Sequence, residues 1–276
     1  MNAVIPPLAV DGSSLTIRKF AKEKLTASNL VELGAVTAPA MAFLKAAIEG
    51  RLNILVSGGT GSGKTTFLNI LSSFIGDGDR IVTIEDAVEL QLRQHHIVRL
   101  ETRPPNIEGK GEIGTRELVK NSLRMRPDRI IIGECRGGEA LDMLQAMNTG
   151  HEGSLTTLHA NTPRDAIARL EVMIMYTGFD LPAKAIREQI GSAVDMICQL
   201  ERLRDGRRVV SSITEITGME GEMISMNEIF GLDREVEGKE SLVASGVVPH
   251  VADKMSKYGS RIDPSWFNET PRGGLQ

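Results

Sequence analysis

The segment Gly58-Gly59-Thr60-Gly61-Ser62-Gly63-Lys64-Thr65 constrains this chain more than any other stretch. It fits the pattern G-x-x-x-x-G-K-[ST] and lies between an apolar run, Leu52 to Ser57, and a helix-like run, Lys64 to Ile75. That strand–loop–helix context is the one in which the pattern has a physical meaning. Glycines let the backbone wrap closely around phosphate oxygens. Successive N–H groups and the N-terminus of the following helix then face the anion. Lys64 is expected to reach the β- and γ-phosphates, and the Thr65 hydroxyl to hold Mg²⁺, with Thr66 closing the loop. A Gly-rich turn carrying a solvated lysine is the alternative.

Around this loop, short apolar runs alternate with helical stretches. Strands are expected at 52–57, 81–84, 129–133 and 154–158, and helices at 39–49, 64–75, 115–126, 138–147 and 163–176. Such alternation predicts a mostly parallel sheet covered on both faces. After Ala193 the pattern changes to strand-like runs, 194–203 and 209–216, joined by Asp205-Gly206, a strong hairpin signal. A further strand is expected within 222–230. The fold class is therefore α/β, with an antiparallel β extension and a small C-terminal appendage. Expected units are a linker at 1–28, one large domain at 29–230 and a partly irregular appendage at 231–276.

Acids at strand ends supply the next candidates. Arg129-Ile130-Ile131-Ile132-Gly133-Glu134 puts a carboxylate at the edge where the phosphates would lie, able to order Mg²⁺ or a water. A buried strand ending in a surface Glu is the bland reading. Thr83-Ile84-Glu85-Asp86-Ala87-Val88-Glu89 repeats the arrangement. Glu85 is the candidate to activate water, with Glu134 its competitor. Asp86 is a candidate for the metal. His151 and His159 flank the strand at 154–158, and either can sense a γ-phosphate or serve structurally. The neighbouring His95 and His96 read as surface residues.

Residues 91–136 carry an excess of four positive charges inside a chain of formal charge -4. Arg93, Arg99, Arg103 and Arg116 are candidate arginine fingers, donated across a subunit boundary to a neighbour's phosphates. A solvated helix face explains part of the excess. Nucleic acid is not an expected partner, because the chain is acidic and only 4% aromatic. Two cysteines, Cys135 and Cys198, are too few for a disulfide framework or a structural zinc site. With no apolar stretch of about 18 residues and no secretory signal, the chain reads as cytosolic.

Taken together and in order, these pieces resemble the secretion ATPase superfamily of type II/IV secretion systems. The resemblance is strongest to the CpaF/TadA type, the motors of tight-adherence (Flp) pili. It is carried by GGTGSGKTT at 58–66, RIVTIEDAVEL at 80–90 and LRMRPDRIIIGECRGGEALDMLQAMNTGHEGSLTTLHAN at 123–161. Family members end the third strand Gly-Glu, as Gly133-Glu134 does. The resemblance implies a RecA-like fold, ATP and Mg²⁺ as cofactors, and hydrolysis of ATP to ADP and phosphate. It also implies a hexameric ring recruited peripherally to the inner membrane by a platform protein. Members usually carry an N-terminal domain before the segment that begins here at Asn2, so a motor domain with a linker is expected, with Arg18 placed near the adenine base. Rival readings are a conjugative-transfer ATPase of the same superfamily, a nucleotide-switched adaptor with little turnover, a nucleic-acid motor and a small-molecule kinase.

Overall fold

In a computed structural model of the chain, residues 2–17, 25–234 and 240–268 are described. Arg18 and the residues after 268 lie outside them. A two-stranded antiparallel pair, β1 (Asn2–Val4) and β2 (Ser14–Thr16), precedes helices α1 (Ala27–Glu32) and α2 (Ala38–Glu49). Alternation then follows: β3 (Ile54–Gly58), α3 (Lys64–Ser72), β4 (Ile81–Glu85), β5 (Ile97–Glu101), α4 (Thr115–Ser122), β6 (Arg129–Ile132), α5 (Glu139–Asn148), β7 (Leu155–Leu158), α6 (Pro163–Met175) and α7 (Ala183–Ala193). The chain continues through β8 (Met196–Arg202), β9 (Arg208–Glu220), β10 (Met223–Asp233), β11 (Ser241–Ala244) and α8 (Ala252–Lys257), and closes with a 3₁₀ turn at Pro264–Phe267.

Nine strands form one sheet in the order β11-β10-β9-β8-β3-β7-β6-β4-β5. From β8 to β5 all pairings are parallel, and from β8 to β11 all are antiparallel. The expected mostly parallel sheet with an antiparallel extension is thus the observed architecture. The apolar runs are continuous because both faces are buried. Ile54 and Val56 feed one core and Leu55 the other; Ile131 feeds the first, and Ile130 and Ile132 the second. Helices α2 and α3 cover the first face, and α5, α6 and α7 the second.

In the parallel part of the sheet one strand, β5, lies outside the expected set. Its burial alternates and it carries the charged Arg99 and Glu101, so it is an edge strand rather than a buried run. The Asp205-Gly206 turn does join β8 to β9, with Gly206 at φ 93°. The boundary expected at residue 231 falls inside β10. Beyond it, β11 extends the same sheet, and Leu242, Met255 and Phe267 enter the same core as α2. Phe267 meets Phe43 edge-on at 5.3 Å and Phe230 at 5.8 Å. Apolar burial therefore binds residues 241–268 to the main domain.

Phe267→Ala removes the ring that joins the C-terminal segment to α2 and β10. A loss of roughly 3–5 kcal/mol is expected for such a core truncation. Urea denaturation of the variant against the wild type reads it directly.

Candidate functional site

Parallel strands place their C-terminal ends along one edge of the sheet, where ligands bind in open α/β folds. There β3 ends at Gly58 and the chain turns through the Gly-rich loop into α3, whose N-cap is Gly63. Gly61 and Gly63 have φ of 73° and 96°, conformations that side chains other than glycine rarely adopt. A Cβ at Gly59 or Gly61 would meet nothing within 4 Å, so the space against the loop backbone is open. A Cβ at Gly58 would instead lie 2.6 Å from the Leu200 carbonyl, which shows how closely the loop's base sits on β8.

The Lys64 side chain folds back over this loop, only 8% exposed. Its Nζ donates to the carbonyls of Gly58 and Gly59 at 3.0 and 3.1 Å and lies 3.3 Å from His159 Nδ1. Burial pulls its pKa below the usual lysine value, against the opposing charge of Glu134. His159, just past the end of β7, places Nε2 2.8 Å from Glu134 Oε1. Glu134 Oε2 in turn accepts from Arg136 Nη2 at 2.6 Å, and Arg136 Nη1 lies 2.9 Å from Asp86 Oδ2. Lys64, His159, Glu134, Arg136 and Asp86 thus form one continuous polar chain across the ends of β3, β7, β6 and β4.

The charges in this chain set its protonation. Burial and then the Lys64 charge push the His159 pKa below 6.5, against the pull of Glu134. At neutral pH the ring is therefore neutral. Its Nδ1 accepts from the Lys64 ammonium and its Nε2–H donates to the carboxylate, which fixes the tautomer. Burial raises the Glu134 carboxyl, but the Arg136 hydrogen bond and the Arg136, His159 and Lys64 charges outweigh it and hold it below the usual range. Glu134 is ionised. The loop after it is rigid, because Glu139 Oε1 accepts from the backbone N–H of Arg136 and Gly137 at 2.6 and 2.9 Å.

Glu85 is different in kind. It is 4% exposed, and its Oε2 accepts from the N–H groups of Glu89 and Leu90 at 2.8 and 2.9 Å. Its Oε1 is buried with no hydrogen-bond partner among the described residues. Burial raises its pKa. A Cβ on Gly133 would lie 3.0 Å from Glu85 Cγ. Glycine before Glu134 thus leaves room for the Glu85 side chain against the end of β6.

The remaining expected residues lie elsewhere. His151 precedes β7, at the edge where the parallel strands begin, opposite the loop. Its backbone N–H donates to the Ala146 carbonyl, and its Nδ1 is buried without a hydrogen-bond partner among the described residues. Arg116 pairs with Asp142 at 2.8 Å. Arg99 donates to the Leu92 carbonyl and Arg103 to that of Gly111. Arg93, like His95 and His96, is exposed. Among the described residues, no hydrogen bond or ion pair joins these four arginines to the Lys64 chain. Arg136 and Arg208 reach the site by hydrogen bonds, and Arg169 lines the cavity beside His159 and Arg136; in the sequence all three look like any other arginine of their segments. Only the i+2 spacing of Arg136 from Glu134 hints at a shared position.

ATP and Mg²⁺ fit this arrangement. The open glycine backbone is a cradle for phosphate oxygens, with the Lys64 ammonium at its base as the charge to meet them. Among the described residues no group of three or more His, Cys, Asp or Glu is placed to hold a metal by itself. Mg²⁺ does not require one, since it takes most ligands from phosphates and water, with a hydroxyl such as that of Thr65 completing the set.

Comparison with known proteins agrees with this geometry. The type II/IV secretion system protein family matches residues 3–229. A Mycobacterium tuberculosis protein named for conjugal transfer is 41% identical over 221 residues, 80% of this chain and 62% of its own length. The type IV secretion system protein PtlH of Bordetella pertussis is 36% identical over 247 residues, covering 80% of this chain and 72% of PtlH. The crystal structure of the VirB11 ATPase from the Brucella suis type IV secretion system superposes with a TM-score of 0.58 at 33% identity, over 70% of this chain and 56% of that one. The chain therefore spans only part of the relatives it matches. Among its described residues, no helix is long and apolar enough to cross a membrane.

The polar chain makes the His159 pKa sensitive to both neighbours with opposite signs. NMR titration of the imidazole is expected to place it below 6.5 in the wild type. Lys64→Ala, which removes a depressing positive charge, should raise it, and Glu134→Gln, which removes a supporting negative charge, should lower it further.

Proposed function

This chain belongs to the type II/IV secretion system protein family, and we propose that it binds ATP on the Gly58–Thr66 loop and hydrolyses it to drive a secretion apparatus. The observation that carries the reading is the neutral His159 bridging the Lys64 ammonium to the ionised Glu134, beside a glycine backbone open to phosphate. In this reading Lys64 exchanges the carbonyls of Gly58 and Gly59 for β- and γ-phosphate oxygens. The amides of Gly59, Thr60, Gly61, Ser62 and Gly63 and the first turn of α3, with Lys64, Thr65 and Thr66, hold the same anion. Mg²⁺, held by Thr65 and phosphate oxygens with Glu134 or Asp86 through water, would neutralise the developing charge.

Glu85 is the residue assigned to activate water. Its raised pKa and free Oε1 suit a base, whereas both oxygens of Glu134 are already engaged. Glu85 takes a proton from water as the water oxygen bonds to the γ-phosphorus and the bond to the bridging oxygen breaks, leaving ADP and phosphate. His159 reports the occupant of the γ-position, because Lys64 leaves its Nδ1 when phosphate arrives. His151 has no role in this chemistry. Arg136 stays with its own subunit's site; of the candidates for a neighbour's phosphates, Arg93 is exposed, whereas Arg99, Arg103 and Arg116 would exchange their present partners, the Leu92 and Gly111 carbonyls and Asp142, for phosphate.

The working form is proposed as a homo-oligomeric ring, hexameric as the family resemblance implies, docked on an inner-membrane platform protein. Rigid-body motion between subunits would convert turnover into work. The sequence resemblance to CpaF/TadA motors favours assembly of a tight-adherence pilus. A second reading, conjugative transfer, is favoured by the relatives named for it.

Phosphate release from ATP with Mg²⁺ tests the reading. Lys64→Ala and Glu134→Gln are each expected to reduce turnover by roughly a hundredfold or more. The wild-type kcat should fall on the acid side as Glu85 protonates, with a midpoint above the usual glutamate range because burial raises that pKa. Glu85→Gln should be nearly inactive and lack that acid limb. Equal turnover in the Lys64→Ala protein would refute the assignment.

A further inference from the structure

The phosphate loop is held at two places, and nucleotide binding as proposed above takes the lysine away from one of them. Its base is held from within: Lys64 bonds the carbonyls of Gly58 and Gly59, and Ser62 Oγ donates to Gly59 at 2.8 Å. Its crest is held from outside. Arg208, at the start of β9, donates from Nε to the Gly61 carbonyl at 2.8 Å, and its Cδ would lie 3.4 Å from a Cβ on Gly63. Register explains the proximity. Leu200 of β8 pairs with Gly58, so the β8–β9 hairpin runs on past the sheet edge beside the loop.

Among the described residues, Arg202 and Arg204 of the hairpin, like Arg208, have no carboxylate partner, whereas its Arg207 has. Arg207 is paired with Asp205 and Glu240, and Glu201 pairs with Arg234. Arg208 is exposed, faces Arg202 across the ladder, and has no carboxylate partner among the described residues. An ion pair therefore does not account for its position; the Gly61 carbonyl does.

We propose that Arg208 is a nucleotide-positioning residue, whose Nε–H fixes the crest of the phosphate loop through the Gly61 carbonyl. The inference rests on the reading that this loop binds ATP. When Lys64 turns to the phosphates, the loop loses the lysine's bonds at Gly58 and Gly59 and keeps only the Ser62 hydroxyl and backbone bonds to Gly59 at its base. Gly61 and Gly63, both at positive φ, are then the most freely rotating part of the loop. A tether at Gly61 keeps the amides in a conformation that can grip phosphate, so less ordering is left to occur on binding. The hairpin thereby joins the antiparallel extension to the nucleotide site.

The donor atom permits a sharp test. Gln places its Nε2 the same number of bonds from Cα as Arg places Nε, so Arg208→Gln keeps the donor and removes the charge. Arg208→Lys has a methylene there, and keeps the charge while losing that donor. Titration of the whole chain with a fluorescent ATP analogue and Mg²⁺ should show affinity about tenfold weaker for Arg208→Ala, the scale of one charge-assisted hydrogen bond. Arg208→Gln should lie within about twofold of wild type and Arg208→Lys should resemble Ala, with kcat at saturating ATP changed by less than about threefold in all. Unchanged affinity in Arg208→Ala, or rescue by Lys and not by Gln, would overturn the proposal. Lys64→Ala is the control: if it binds as well as wild type, or wild type does not bind, the loop assignment fails and the positioning role with it.

Discussion

Lys64 carries a positive charge into a largely buried place, and the arrangement of the site follows from satisfying it. A buried ammonium without partners is too costly to keep. Here two loop carbonyls and the His159 ring supply them, and the histidine passes the demand on to Glu134, Arg136 and Asp86. The members stand at four strand ends: Lys64 after β3, His159 after β7, Glu134 and Arg136 after β6, and Asp86 after β4. The chain of contacts therefore exists only if β3, β7, β6 and β4 lie side by side in that order. The same strand order sets Glu134 near the lysine and joins Asp86 of the neighbouring strand to Glu134 through Arg136.

Packing supplies the rigidity. Each central strand sends alternate side chains into two separate cores, so its register against its neighbours is fixed from both faces. Glycine appears where that rigidity would otherwise exclude a neighbour. Gly58 lets the loop's base lie on Leu200, and Gly133 lets Glu85 lie against the end of β6. The antiparallel strands are part of this frame. They border β3 through β8, and their hairpin reaches the crest of the loop through Arg208.

Much of this was legible in the residues. The glycine-lysine loop, the buried runs of β3, β4, β6 and β7 and the Asp205-Gly206 turn all announce themselves by short-range pattern. That Lys64, Glu134 and His159 meet was legible because each falls at the C-terminal end of an apolar run, and parallel strands bring such ends together. The same logic puts His151, which precedes its strand, on the opposite edge. What escaped depends on contacts distant in sequence. β5 is half exposed and carries charges, so it lacks the buried-strand pattern. Arg208 is selected among several arginines only by the register of β8 on β3. The C-terminal segment looks irregular in sequence, yet one phenylalanine at 267 commits it to the core through Phe43 and Phe230.

The central claim is that this site recognises the far phosphates of a nucleotide through Lys64 and the loop amides. Calorimetric titration of the chain with Mg²⁺ and either ATP or AMP tests it most directly, since the two ligands share base, sugar and α-phosphate. The account requires ATP to bind at least a hundredfold more tightly than AMP, the scale of a few charge-assisted hydrogen bonds. Equal affinity for the two, or no heat with either, would contradict it.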